Sequence, residues 1–289
     1  MIRYLKRKNI DIVKYNACIE TAVNTRIYAY SWYLDIVADN WDALVLNDYE
    51  AVMPLTWRQK YFIKYIYPPA WTQQLGVFSS FKIEADITKQ FVDAIPKKFK
   101  KITIQFNSNN DLSLFKTEER MNYILPLNKS YEDIYNGYNK NRKRSLKKLG
   151  AENYSIDKKI NASEFLVFYL NEQKNYQLKQ DQITSLQQLL NSNQKAVNIW
   201  GIKENEKLLA SLIWLKDINR ITYLLPIATK KAKEKGLPTL LISQLIKDFQ
   251  NSNLLLDFEG SMVKGVAGFY KSFGVEEEKY FSFKMKLLF

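Results

Sequence analysis

The stretch Leu254-Leu-Leu-Asp-Phe-Glu-Gly-Ser-Met-Val-Lys-Gly-Val-Ala-Gly-Phe-Tyr-Lys-Ser-Phe-Gly274 changes its period halfway along. Leu254–Phe258 is an apolar run of strand length, and Val263–Phe273 carries apolar residues at helical spacing. Strand alternation puts Asp257 and Glu259 on one side. Two carboxylates facing one way on a core strand are expensive unless they are paired or functional. Pairing with nearby lysines and chemistry are therefore both open readings of this site.

Working outward from it, a helix at Leu237–Gln250 precedes the strand and a last strand, Tyr280–Leu288, follows the short helix. Further back, strands are expected at Tyr154–Ile160, Ala196–Lys203, Leu208–Leu215 and Arg220–Ile227. Helices are expected near Ala162–Asn175 and Gln182–Asn191. Ser130-Tyr-Glu-Asp133 has the form of a capping box and opens a long helix that stops at Gly150. Residues 1–127 show a weaker version of the same alternation. It includes a hairpin from Ala43–Leu46 through Asn47-Asp48 to Ala51–Leu55, a strand at Tyr61–Tyr67, and a helix near Glu84–Ile95. The pattern is a mixed α/β (α+β) arrangement. It divides into two similar domains, residues 1–128 and 129–289.

Composition narrows the chemistry. The 289 residues hold 43 Lys and Arg against 30 Asp and Glu, a net +13. Residues 1–127 carry +4 of this and residues 128–289 carry +9. No histidine occurs, which removes Ser-His-Asp and Cys-His machinery, histidine-ligated zinc and any histidine general base. The one cysteine, Cys18, cannot form an internal disulfide or a thiolate cluster. It lies in an apolar-periodic stretch and reads as a buried small hydrophobe. The N-terminus lacks the apolar core of a signal peptide, and no run reaches the ~20 apolar residues that span a bilayer. A cytoplasmic protein without a transmembrane segment is expected.

Two basic segments stand beside the carboxylates. Lys140-Asn-Arg-Lys-Arg-Ser-Leu-Lys-Lys148 holds six cations in nine positions, and helical spacing lets Lys140, Arg144, Lys147 and Lys148 share a face. Like charges so placed repel by a few tenths of a kcal/mol per pair, and a bound anion relieves them. Arginine in particular offers phosphate a fork of donors. The plainer reading is a solvated basic face. The other segment, Thr229–Gly236, places Lys230, Lys231, Lys233 and Lys235 around an expected helix start. Unpaired N–H groups and the helix dipole favour phosphate there, and Gly236 allows close backbone approach. A charged surface loop is the alternative.

The strand and helix around Asp257-Phe-Glu-Gly-Ser261, with Ala267, Tyr270 and Gly274 at their spacing, resemble the end of a GNAT acyltransferase domain. The basic helix Asn139–Leu149 running into the next strand resembles the start of the second domain of Fem-type peptidoglycan aminoacyltransferases and their FemAB-like relatives. The resemblance is best over residues 130–289. It implies two tandem GNAT-like domains, each a mixed, mostly antiparallel sheet flanked by helices. It also implies an acyltransferase that moves an acyl or aminoacyl group from a thioester or ester donor to an amine. Acetyl-CoA or another acyl-CoA is the implied cosubstrate, and no cofactor is tightly bound.

Residue by residue, the resemblance gives Tyr270 the role of protonating the leaving group. Glu259 is the candidate base, with Asp257 second. Backbone along Tyr223–Ile227 would pair with the donor, and Lys230, Lys231, Lys233, Lys235 and Gly236 would hold its phosphates. Arg142, Arg144, Lys147 and Lys148 would hold an anionic partner, such as a phosphorylated lipid or cell-wall precursor. Two departures stand out. The glycine-rich Gln/Arg-x-x-Gly-x-Gly/Ala pattern of acetyl-CoA users is replaced by lysines with one glycine. The helical arm of some Fem enzymes is not visible, so recognition of transfer RNA by such an arm is not implied. The rival reading is a non-catalytic module that binds nucleic acid or another polyanion, supported by +13 and abundant tyrosine.

Overall fold

Trp41–Leu46 and the first half of Ala51–Lys60 are buried at nearly every position, as strands covered on both faces require. In the computed structural model they pair as neighbours, Leu46 opposite Ala51. The structure describes residues 1–150, 152–173, 177–192, 195–260 and 262–286. Contacts gather them into two units: Met1–Met121 with Glu278–Phe289, and Asn122–Glu277. The sequence divides at 128/129, whereas the contacts divide at 121/122 and again at 277/278.

The first unit contains β1 (Ile2–Lys6), α1 (Ile12–Thr21), α2 (Ser31–Val37), β2 (Trp41–Leu46), β3 (Ala51–Lys60), β4 (Ile63–Ile66), β5 (Phe78–Ser79), α3 (Ala85–Asp93) and β6 (Phe99–Phe106). Two long strands, β7 (Thr117–Pro126) and a C-terminal one at Glu276–Lys286, contribute residues to both units. Within this unit the sheet runs β1-β2-β3-β4-β6 and ends on the C-terminal strand, with β5 beside β3. Among these named strands β4 and β6 pair in parallel. Phe91, Val92 and Ile95, on or just past α3, close over Leu44, Met53, Leu55 and Phe106. Cys18 is buried with its Sγ 3.7 Å from the Phe78 carbonyl oxygen, and burial pushes the thiol up to about 11.

The second unit continues with α4 (Tyr131–Asn136), α5 (Lys140–Leu149), β8 (Ile156–Asp157), α6 (Ala162–Glu172), α7 (Gln180–Leu190), β9 (Val197–Glu204), β10 (Lys207–Lys216), β11 (Arg220–Ala228), α8 (Lys230–Lys235), α9 (Leu237–Phe249), β12 (Leu255–Asp257), α10 (Lys264–Lys271) and β13 (Glu276–Lys286). Its sheet runs β7-β12-β11-β10-β9-β8, antiparallel except between β11 and β12. Each unit is thus a mixed, mostly antiparallel sheet with helices against it, the α/β class expected. Leu237, Leu241, Ile242, Leu245 and Ile246 form the buried stripe of α9, at the spacing of an amphipathic helix.

Three expected elements differ. The helix drawn from Ser130 to Gly150 is two helices, because Asn139 caps α5 by accepting from Arg142 N–H while its own N–H donates to Ser272. Strand Tyr154–Ile160 shrinks to Ile156–Asp157, and Tyr61–Tyr67 begins only at Ile63, after a turn. Ser261, Asn175 at the end of the expected helix Ala162–Asn175, and Leu288 at the end of the last expected strand lie outside the described residues.

Candidate active site

Strand β12 pairs with β11 over three residues only: Arg220–Leu255, Ile221–Leu256 and Thr222–Asp257. Beyond Thr222, β11 continues to Ala228 with β10 as its one sheet neighbour, and β12 has ended. In open α/β sheets ligands bind at such a place, outside the carboxyl ends of parallel strands. Ile213 pairs with Leu225 and Trp214 with Tyr223, so Leu224 is an extra residue in β11. A bulge of this kind bends the strand and leaves one residue outside the ladder. Tyr223 and Ile227, expected to lie along a donor, occupy this length, where β11 is paired with β10, and are both buried.

Tyr270, on α10, is 7% exposed and packs with Phe258, Tyr223 and Tyr123, its ring 5.0 Å from that of Phe258. Burial pushes its phenol well above the ordinary tyrosine value, and the negative charge of Glu259 adds to the rise. The two expected catalytic groups therefore lie within electrostatic reach of one another. Glu259 does not continue the strand. The strand stops at Asp257, and Glu259 takes a left-handed backbone, φ +56°. Asp257 and Glu259 therefore do not share one face of a strand, contrary to what alternation predicts.

Asp257 is 1% exposed and already occupied. One carboxylate oxygen is 2.8 Å from Arg220 Nη1, and the other accepts from Asn122 Nδ2 at 3.0 Å and from the Glu259 backbone N–H at 2.9 Å. A buried carboxylate needs such partners. Both oxygens of Asp257 are therefore engaged, one of them by the backbone N–H of Glu259.

The basic helix α5 divides by face. Lys140, Arg144, Lys147 and Lys148 are exposed, whereas Arg142 turns inward. Its Nη1 donates to Thr239 Oγ1 in the first turn of α9, and its guanidinium lies 4.9 Å from the Phe269 ring centroid. Its Nε is buried without a hydrogen-bond partner, it faces no carboxylate among the described residues, and burial lowers its pKa. A half-buried cation beside the positive end of a 13-residue helix is costly alone and suits an anion. Arg142 is therefore separated from the outer-face set with which the sequence grouped it.

The expected lysine loop is itself the short helix α8, capped by Thr229. Lys231 pairs with Glu204, and Lys235 with Glu152 and Tyr154. Lys230 and Lys233 face outward. Gly236 has φ +86°, and a Cβ there would stand 2.1 Å from Ser145 Oγ of α5. Its close approach is to α5. Among the described residues this turn therefore offers no glycine-lined pyrophosphate cradle. Among the described residues no group of Cys, Asp and Glu is arranged to hold a metal, and no helix is long and apolar enough to cross a membrane.

Sequence reasoning missed Arg220 and Asn122, the Leu224 bulge, and Phe269 under Arg142. Only Arg220 had a signal, a cation opening an apolar strand. No protein-family model matches the chain, and no curated protein is similar to it in sequence. Solved structures do match. FemX superposes with TM-score 0.68 at 9% identity, covering 99% of this chain and 97% of that one. A conserved protein of unknown function from Bacteroides thetaiotaomicron follows at 0.65 and 13%, covering 98% and 99%. The L-PGS of Bacillus licheniformis gives 0.59 and 14%, covering 94% and 91%. The chain has the FemAB/GNAT-like fold.

Proposed function

We propose that this chain transfers an acyl or aminoacyl group from a thioester or ester donor to the amine of an acceptor, in the crevice beyond the β11–β12 pairing. The observation that carries the reading is the placement of Tyr270 and Glu259: a buried phenol held protonated, in the field of a half-buried carboxylate. The fold shared with FemX and the resemblance to Fem-type aminoacyltransferases support it.

A neutral amine attacks an acyl carbon without an enzyme nucleophile, which suits a chain lacking histidine. The site must supply proximity, a proton acceptor and stabilisation of the oxyanion. Glu259 takes the amine proton as the C–N bond forms. The backbone N–H of Leu224, outside the ladder, is the candidate donor to the oxyanion. As the C–S or C–O bond breaks, Tyr270 gives its proton to the leaving thiolate or alkoxide. The proton on Glu259 then returns to the Tyr270 phenolate through water, and both groups are restored. Arg142 and the first turn of α9 would hold a donor phosphate, with Lys230 and Lys233 adding charge. Acyl-CoA, acetyl-CoA included, is a donor to test beside aminoacyl-tRNA. The outer face of α5, with Arg144, Lys147 and Lys148, would hold an anionic acceptor such as a phosphorylated lipid precursor. That same exposed face favours one other reading, a polyanion-binding module without turnover.

Donors can be ranked by shifts in melting temperature, since a ligand at 100 times its dissociation constant adds about 2.7 kcal/mol. With a donor in hand, Glu259→Gln and Tyr270→Phe should each lower turnover by ~10²–10⁴-fold and leave donor binding intact. Arg142→Gln should weaken donor binding instead. Turnover per folded molecule unchanged in both Glu259→Gln and Tyr270→Phe would sink the assignment. Salt-sensitive polyanion binding with no turnover would favour the binding module.

A further inference from the structure

Strands β3 and β4 are joined by two residues, Tyr61 and Phe62, with φ of +47° and +66°. A two-residue hairpin turn with both φ positive favours Asn-Gly. Asn205-Glu206 makes the corresponding turn between β9 and β10 with polar residues. Bulky aromatic residues in the left-handed region are strained, and packing within the chain does not offset it here. Tyr61 is 81% exposed and Phe62 96%, and Ile63 after them is 37% exposed. Two aromatic rings therefore stand at the outermost point of a hairpin, held there by a backbone that ordinary turn chemistry avoids.

The two chain segments that carry and adjoin them are basic. Residues 57–66 and the adjoining residues 97–101 hold seven Lys and Arg and no Asp or Glu. Parallel pairing brings these segments together, with Lys64 opposite Phe99. Lys60 Nζ lies 5.2 Å from the Tyr61 ring centroid and Lys64 Nζ 4.8 Å from that of Trp57. Lys98 is depressed below the ordinary lysine value, first by burial and also by repulsion from Lys64 and Lys6, although Asp42 opposes the shift. An aromatic tip that protrudes into water beside Lys60 and Lys64 is unfavourable on both counts, exposed apolar area and crowded positive charge. A surface that is apolar below and anionic at its rim relieves both.

We propose that the Lys60–Lys64 hairpin docks the first unit onto an anionic lipid surface. Tyr61 and Phe62 enter the boundary between headgroups and acyl chains, while Lys60, Lys64 and Lys98 meet the lipid phosphates. Tyrosine suits that depth through its amphipathic ring, and lysine stems reach back to the headgroups. The convex tip distinguishes this surface from a nucleic-acid groove, where bases stack along a cleft. The attachment is peripheral, and it stands independently of the acyl-transfer reading.

Flotation of the full chain with vesicles tests it, using phosphatidylcholine alone and phosphatidylcholine mixed with phosphatidylglycerol. The wild type should bind the anionic vesicles and leave the neutral ones free. The double substitution Tyr61→Asn/Phe62→Gly installs the favoured turn, so its melting temperature should be equal or higher. Its binding should nevertheless fall by about tenfold or more, as loss of two inserted rings requires. Lys60→Gln/Lys64→Gln should also weaken binding and lower its salt sensitivity. In the Phe62→Trp variant, indole emission should shift to the blue on anionic vesicles. Equal binding to neutral vesicles, no binding to either, or full binding by the Asn-Gly variant would each overturn the proposal.

Discussion

Two carboxylates two positions apart, Asp257 and Glu259, have different fates, and the difference lies entirely in who faces them. Arg220 and Asn122, distant in sequence, fill both oxygens of Asp257. Glu259 sits past the strand's end, close enough to influence the Tyr270 phenol. Nothing in the spacing separates the two, because both side chains end in a carboxylate and alternation stops where the strand does. Removing one member of a buried ion pair strands the other, at a cost of about 3–5 kcal/mol. Asp257→Ala should therefore lower stability by that order in urea denaturation, and Glu259→Gln by much less. A silent Asp257→Ala would deny Asp257 its supporting role.

At the scale of elements, the joint between α4 and α5 was invisible because its cause is tertiary. Helical periodicity runs unbroken through Tyr131–Leu149, yet the chain pauses at Gly137–Asn139 to meet the end of α10. There Gly274 has φ +76°, and a Cβ on it would stand 2.8 Å from the Gly137 carbonyl oxygen. Gly236 has a similar backbone, but the atom in its way is the Ser145 hydroxyl, which can rotate. A left-handed residue with a Cβ costs about 1–2 kcal/mol by itself. Gly236→Ala should lose about that amount, and Gly274→Ala more, since backbone must move as well. Equal denaturation midpoints for the two variants would contradict this packing. The Ala267, Tyr270 and Gly274 spacing was legible in sequence; that Gly274 serves helix contact was not.

Across the molecule, the abundant tyrosines are structural first. Tyr15, Tyr138, Tyr223 and Tyr270 all have phenols raised by burial. In the unfolded chain these groups ionise near pH 10, whereas the folded protein keeps them protonated beyond it. The unfolded state then binds fewer protons, so stability that is whole below about pH 10 is lost as pH rises further. Each such phenol removes about 1.4 kcal/mol per pH unit above its unfolded value. Urea midpoints should hold steady from neutrality to about pH 9 and fall steeply by about pH 11, and part of the tyrosinate absorbance should appear only on unfolding. Tyr223→Phe should make the fall shallower. Full tyrosinate absorbance reached while the protein is still folded would show these phenols to be accessible.

Sequence by itself determined the layered α/β class, most strands and helices to within a few residues, and the absence of histidine chemistry. These follow from periodicity and composition, which are local. It also brought Glu259 and Tyr270 forward as candidates, Tyr270 through the resemblance its spacing carries. Only the tertiary structure decided which carboxylate is buried in an ion pair, where β12 leaves β11, and which arginine turns toward α9. It alone lifted Tyr61 and Phe62 clear of the protein. Each of these depends on partners far away along the chain, and no local pattern encodes which distant surface a side chain will meet.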